Sequence, residues 1–248
     1  MRLMLKDLWR RLRADFAILA AFAGIALLSF LFLKLGSEVL DGETMAIDRW
    51  VLLALRDPSD LSVTVGPAWF RSLMLDITAV GGVWGLTLTT VVVTGFLIAS
   101  RKYATALFVA LSVTGGAVLG SLLKMLFDRP RPDVVPHLVE VTNASFPSGH
   151  AMNSAVVFLT LGVLLASTQE SRRVRVYLIT VAVSLTLAIG FSRLYLGVHW
   201  PSDVAAGWCV GAAWATTCWI AARLLQRTHQ IEQPDGVRPP EAPAPEEP

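Results

Sequence analysis

The chain has 248 residues, 54% of them apolar and 16% charged, with a formal net charge of +2 and a mean hydropathy of +0.58. Such a composition excludes disordered, collagen-like and disulfide-scaffold chains, and the near-neutral charge without a basic run excludes a nucleic-acid-binding surface. Six stretches, 16–33, 77–100, 103–123, 151–169, 176–192 and 204–222, carry no charged residue, and each approaches the length that a membrane-spanning helix needs. The expected fold is all-α, a polytopic six-helix transmembrane bundle.

Residues 1–15 form a basic arm with Arg2, Lys6, Arg10, Arg11 and Arg13. The apolar run after it is longer than a signal core, and Leu35-Gly36-Ser37-Glu38 is a poor cleavage site, so a retained first span is expected. Segment 36–76 holds seven acids against Arg49, Arg56 and Arg71, whereas Arg101-Lys102, Arg172, Arg173, Arg175, Arg223 and Arg227 lie in the alternate connections. The distribution of Lys and Arg therefore places both termini in the cytoplasm, in a plasma (inner) membrane, with segment 36–76 outside. Within that segment Ile47, Trp50, Val51, Ala54 and Leu55 recur at helical spacing, away from Asp48, Arg49 and Arg56. This pattern fits either a helix lying on the membrane surface or a loop helix packed on the bundle.

The spans also contain structural signals. Gly116/Gly120 and Gly207/Gly211 mark close helix contacts. Cys209 and Cys218 sit on one predicted helix, roughly 13 Å apart along its axis, too far for a bridge, and are read as packing residues. The domain from 16 to 225 ends in a tail, 226–248, whose last 21 residues include six prolines and five acids, a composition that builds no core.

Three polar clusters remain, and the predicted topology sends all three to the outer face. Lys124 ends span three, followed by Asp128-Arg129-Pro130-Arg131-Pro132. Pro147-Ser148-Gly149-His150 opens span four. Ser192-Arg193 ends span five, and His199-Trp200-Pro201-Ser202-Asp203 opens span six. Lys124, Arg131 and Arg193 at the edge of a low-dielectric medium call for a multi-oxygen anion, and phosphate fits arginine forks and a lysine point charge best. Spans four and six both turn their helix N-termini to the same place, with Ser148 and Gly149 at one start and Pro201 at the other. Asp203, in the first turn after Pro201, is placed to hold one His199 nitrogen and leave the other bare, as an oriented nucleophile or base. His150, without a neighbouring carboxylate, is better placed to give a proton to a leaving oxygen.

Other residues have simpler readings. His137 and His229 fit hydrogen-bonded surface histidines, and Arg49, Arg56 and Arg71 fit headgroup contacts. Neither HExxH nor CxxC spacing occurs, so neither a metal nor a cofactor is expected.

Lys124-x6-Arg131-Pro132, Pro147-Ser148-Gly149-His150 and Ser192-Arg193-x5-His199-x3-Asp203 resemble the three signature motifs of the type 2 phosphatidic acid phosphatase (PAP2) superfamily, which includes lipid phosphate phosphatases and vanadium haloperoxidases. Eleven specified positions match in order and spacing. The resemblance implies a metal-independent lipid phosphatase in which His199 attacks phosphorus, Asp203 holds it, and His150 protonates the leaving group and later activates water. Lys124, Arg131, Ser148, Gly149 and Arg193 would bind the phosphate oxygens. It also implies a membrane lipid phosphate or diphosphate as partner, undecaprenyl diphosphate first, with phosphatidylglycerol phosphate, phosphatidate and lipid A phosphate as alternatives. A phosphotransferase of the same fold would pass the phosphate to a second lipid. A transporter fits poorly because the span interiors lack ionisable residues.

Overall fold

Apolar stretches in hydrocarbon become helices because their backbone groups have no water to bond with and must satisfy one another. A computed structural model describes residues 2–141 and 143–227, with side chains between Phe16 and Gln226. The predicted tail beyond Arg227 and His229 lie outside the described residues.

Among the described residues five helices are long and apolar enough to cross a membrane: Phe16–Leu40, Tyr103–Phe127, Gly149–Ser167, Arg172–Tyr195 and Pro201–Gln226. The first belongs to a continuous helix α1 (Arg2–Leu40), so the basic arm is helical in line with its span. A bent pair, α3 (Ala68–Val80) and α4 (Val83–Ala99), which meet at 52°, is apolar enough to make a sixth crossing if the two helices form one span. The chain is therefore a multi-span membrane protein, and Phe22, Leu27, Val91, Phe96, Leu107 and Leu111 stand exposed where lipid would cover them.

The second span differs from its predicted start at 77. Helix α3 begins at Ala68, directly after Pro67 in extended conformation, and draws nine residues of the expected outer segment into the helical layer. Gly81 and Gly82 then break the helix, since glycine has the weakest helical preference after proline. A side chain at Gly81 would come within 2.2 Å of Ile189 Cγ2, so the bend also lets α3 cross α8 (Arg172–Tyr195) closely.

Outside the spans, α2 (Met45–Ala54) leads to a short antiparallel hairpin, β1 (Arg56–Asp57) and β2 (Asp60–Thr64). Helix α2 exposes Ile47 (68%) and Trp50 (71%) and buries Asp48 (1%) with Leu52. The side that meets the bundle carries Asp48 with Leu52, Met45 and Leu55, while Ile47 and Trp50 of the expected apolar face and the charged Arg49 stay exposed. Arg56 is a correction to the sequence reading: it is buried and donates from Nη1 to the Tyr195 carbonyl at 2.9 Å, so it makes no headgroup contact.

The fourth span starts as α6 (Gly149–Ser154), passes through a π-helical turn at Ala155–Leu159 and continues as α7 (Thr160–Ser167). It packs against α9 (Pro201–Arg227) at the predicted small residues, where a side chain on Gly207 would lie 2.7 Å from the Ser148 carbonyl and one on Gly211 would lie 2.6 Å from Ala155 Cβ. Phe32 of α1, Phe127 at the end of α5 (Tyr103–Phe127) and Phe146 form an aromatic cluster, with ring centroids 4.6 Å apart for Phe127 and Phe146. That cluster anchors the chain immediately before Pro147 and fixes where the fourth span begins.

Candidate active site

Three chain turns build one site at one end of the bundle. Helix α5 stops because Asp128 takes a left-handed conformation (φ 39°), its N–H closing on the Lys124 carbonyl at 3.1 Å, and Pro130 cannot extend the helix. Lys124 thus stays on the last helical turn, and Arg129 and Arg131 leave it on the connecting loop. Ser148 caps the fourth span by accepting from Ala151 N at 3.5 Å, which leaves Gly149 and His150 in its first turn.

The third turn explains the spacing from Arg193 to His199. Gly197 has φ +75°, and the Gly197 N–H reaches the Leu194 carbonyl at 2.9 Å while the Val198 N–H reaches the Arg193 carbonyl at 3.2 Å. This is a Schellman ending for α8, and glycine is the residue that takes the left-handed position without strain. His199 follows at once, and α9 opens at Pro201 with the Asp203 carboxylate reaching back to the Trp200 N–H at 2.8 Å.

The predicted residues converge. Asp203 Oδ2 lies 3.3 Å from His199 Nδ1, and Arg131 Nη1 lies 3.2 Å from His199 Nε2. An acceptor on one side and a guanidinium donor on the other fix a neutral imidazole with its proton on Nδ1. His199 is buried, and burial, outweighing its bond to Asp203, pushes its pKa down to about 4. Lys124 Nζ donates to the Ala144 carbonyl at 2.7 Å, and its stem lies beside Gly149, where a side chain would meet Lys124 Cε at 3.5 Å. Arg193 is buried and donates from Nη1 to Thr78 Oγ1 at 2.8 Å, while its Nε is buried without a hydrogen-bond partner among the described residues. His150 Nε2 lies against Gly82, 3.7 Å from where a side chain there would start, and the cations Arg193, Lys124 and Arg131 and the His199 imidazole are its electrostatic neighbours. His137 stands apart, its Nε2 bonded with the Pro132 carbonyl at 2.7 Å, as a surface histidine would be.

Several participants were not singled out from the sequence. Asn143 bonds with Arg131 of the loop and Lys124 of α5, its amide oxygen 2.5 Å from Arg131 Nη2 and 3.5 Å from Lys124 Nζ, so one neutral oxygen occupies the angle between two cations. Ser145 donates to Asp203 Oδ2. Arg129 joins Asp203 Oδ1 at 2.6 Å and Asp48 Oδ2 at 2.9 Å. Arg129 and Ser145 belong to the polar stretches around the motifs, which was the available signal. Asp48 gave none, because its partner lies 81 residues away.

Chemically the arrangement offers an oriented nitrogen nucleophile, a second imidazole, and three cations with two helix N-termini around one point. Among the described residues no group of three His, Cys, Asp or Glu side chains could hold a metal ion. A groove of about 710 Å³ at the opposite end, bordered by Phe96, Lys102, Leu164 and Thr168, shares no residue with the site.

The same residues lie in the region that known proteins match. The sequence profile described as the PAP2 superfamily matches residues 103–227. A Bacillus subtilis phosphatidylglycerophosphatase B is 32% identical over 62% of the chain and 75% of the relative. An undecaprenyl-diphosphatase of Sulfolobus acidocaldarius is 31% identical over 55% of the chain and 64% of the relative. The crystal structure of a transmembrane PAP2-type phosphatidylglycerolphosphate phosphatase from Bacillus subtilis superposes with a TM-score of 0.73 at 25% identity, covering 82% of the chain and 98% of that structure.

Proposed function

Since the chain belongs to the PAP2 superfamily and is a membrane lipid phosphatase of PAP2 type, we propose that it hydrolyses the terminal phosphate of a lipid phosphate or diphosphate through a covalent phosphohistidine on His199. The observation that carries the reading is the clamp on one imidazole, Asp203 at Nδ1 and Arg131 at Nε2, inside a ring of cations. Asp203 holds the proton on Nδ1, so the Nε2 lone pair attacks phosphorus as the bond to the leaving oxygen breaks. Arg131 swings from Nε2 onto the incoming phosphate oxygens, and the Asn143 amide oxygen yields its place between Arg131 and Lys124 to one of them. Arg193 Nε, a buried donor without a protein partner among the described residues, gains an acceptor in the same event. The N–H groups at Ser148 and Gly149 meet the charge that builds on the equatorial oxygens. His150 gives a proton to the departing lipid oxygen and then takes one from the water that cleaves the N–P bond. Each step moves protons and one phosphoryl group between named atoms, and metal-independent catalysis is part of the proposal.

The site end faces outside in this reading, with both termini in the cytoplasm of the plasma membrane, as the distribution of Lys and Arg supports. Substrate then enters sideways from the outer leaflet. Undecaprenyl diphosphate is the first substrate to test, in keeping with the Sulfolobus acidocaldarius relative. Phosphatidylglycerol phosphate is the second reading, favoured by both the Bacillus subtilis relative and the Bacillus subtilis structure.

The test is phosphate release by the purified protein from each lipid in excess EDTA, with the His199→Ala variant alongside. Release that survives EDTA and is lost in the variant supports the histidine mechanism. Release that EDTA abolishes, or that His199→Ala retains, overturns it.

A further inference from the structure

We propose that Asp48, acting through Arg129, sets the position and charge balance of the Asp203 carboxylate behind His199, which makes helix α2 a working part of the site. The inference deepens the reading of His199 as nucleophile and rests on it. Asp48 precedes residue 103, where the match to the family profile begins.

The geometry is a chain of buried groups. Asp48 Oδ1 accepts the Ser202 N–H at 2.9 Å, and Oδ2 accepts the Ser202 hydroxyl at 2.6 Å and Arg129 Nη2 at 2.9 Å. Arg129 Nη1 donates to Ser202 Oγ at 2.8 Å and to Asp203 Oδ1 at 2.6 Å, and its guanidinium lies 5.5 Å from the Trp200 ring centre. The other Asp203 oxygen takes the Ser145 hydroxyl, the Trp200 N–H and His199 Nδ1. Asp203 is thus held by Arg129 on one oxygen and turned to His199 by the other.

A mere brace between α2 and α9 would not need this chemistry. Buried ion pairs are often no more stabilising than apolar side chains of similar volume, yet here two carboxylates and one guanidinium are buried together with their hydrogen bonds met. The electrostatic consequence is specific. Arg129 alone would draw the negative charge of Asp203 away from His199. Asp48 on the far side of the guanidinium offsets that pull and leaves Asp203 an effective anion toward the imidazole.

His199 is faced by Asp203 from α9, Arg193 from α8, His150 from α6, Lys124 from α5 and Arg131 from the loop, with Arg129 and Asp48 behind Asp203 and Arg56 beside the preceding Gly197 turn. Both carboxylates stand on the Nδ1 side of the imidazole with Arg129 between them, and Arg131 stands at Nε2. Removing Asp48 therefore changes the charge behind the nucleophile without touching the phosphate side.

The test is kcat/KM against pH for the full chain in detergent, with phosphatidylglycerol phosphate and phosphatidate in mixed micelles, for Asp48→Asn, Arg129→Gln, Arg129→Lys and the Asp48→Asn/Arg129→Gln double variant. His199 must be neutral to attack, so activity fails as pH falls through its pKa. Loss of the Asp48 charge lowers that pKa and moves the acid limb down by about one pH unit, and loss of the Arg129 charge moves it up by a similar amount. The double variant returns the limb toward its original place. Arg129→Lys keeps the charge and loses the two-armed contact, so kcat drops roughly tenfold with the limb unmoved. If Arg129→Gln does not fold, the contrast between Asp48→Asn and Arg129→Lys carries the test: the limb moves in the first and stays in the second. Variants that lower the melting temperature and leave the limb in place would overturn the proposal, as would both charge removals shifting it in one direction. His199→Ala in the same assay separates the two ideas. Activity retained there sinks the nucleophile reading itself, whereas its loss beside unmoved limbs sinks only the role of Asp48.

Discussion

Arg131 Nη1 lies 3.2 Å from His199 Nε2, so the imidazole nitrogen turned away from Asp203 faces a guanidinium donor. A protonated imidazole would place N–H against N–H there and add a cation beside Arg131 and Arg193. Neutral histidine is the form that this contact selects, and burial reinforces it by pushing the His199 pKa down to about 4.

The pH dependence follows with a definite sign. The ionisation of His199 leaves kcat/KM of the free enzyme level from neutrality downward and lowers it only as pH approaches about 4, with the ionisations of His150 and the substrate superimposed. The unfolded chain titrates this histidine near 6.5 and so binds more protons than the folded chain between the two values. His199 therefore leaves stability untouched above about 6.5 and lowers it progressively below. Melting temperature measured from pH 7.5 to 4.5 should decline less steeply in His199→Gln than in the unchanged protein. An activity limb centred near 6.5 would contradict the buried, neutral histidine.

His150 differs from His199 in lacking a carboxylate partner among the described residues, which suits a group that gives and takes a proton. His150→Ala should lose on the order of 10² to 10⁴ in rate with a lipid leaving group, the usual worth of general acid catalysis. With an aryl phosphate whose leaving group needs no proton, the loss should shrink. Equal losses on both substrates would remove the proton-donor role.

Arg131 binds through a fork, touching Asn143, the Val198 carbonyl and His199 at once. Arg131→Lys keeps the charge and cannot reproduce that geometry. A fall of roughly tenfold to a hundredfold in kcat/KM is expected, about 1.4–2.7 kcal/mol. A lysine variant with unchanged kinetics would mean that only charge matters at this position.

Gly207 lies in the contact between α9 and the fourth span, where a methyl group would lie 2.7 Å from the Ser148 carbonyl and 3.1 Å from Met152 N, pushing the start of the fourth span away from α9. Gly207→Ala should cost about 1–3 kcal/mol of stability and reduce phosphate release by displacing Ser148 and Gly149. Gly95→Ala, with nothing within 4 Å of the added carbon, is the control and should leave activity unchanged. Comparable losses in both variants would point to a general response of spans to alanine.

What the sequence revealed of this site was its catalytic-looking residues, because Lys124, Arg131, His150, Arg193 and His199 are polar groups at the ends of apolar stretches. The helix starts at Gly149 and Pro201 were readable for the same reason. Asp48 and Arg56 were not, since their burial depends on partners 81 and 139 residues away, and local periodicity assigns a charged residue in an outer segment to the surface; Arg129 fell within the first polar cluster, but its bond to Asp203, 74 residues away, did not show. Helix α2 shows the limit clearly: its apolar residues defined a face, but the buried face is the one that carries Asp48. The early start of α3 was hidden because Arg71 and Asp76 interrupt an otherwise apolar helix, and the length of a span was counted from its uncharged core.

The most direct measurement is phosphate release by purified protein from undecaprenyl diphosphate, phosphatidylglycerol phosphate and phosphatidate in excess EDTA, with His199→Ala beside it. Turnover of at least one lipid that is indifferent to EDTA and absent from the folded variant is the predicted result. Turnover that the chelator abolishes, or that persists without His199, would contradict a phosphohistidine mechanism at this site.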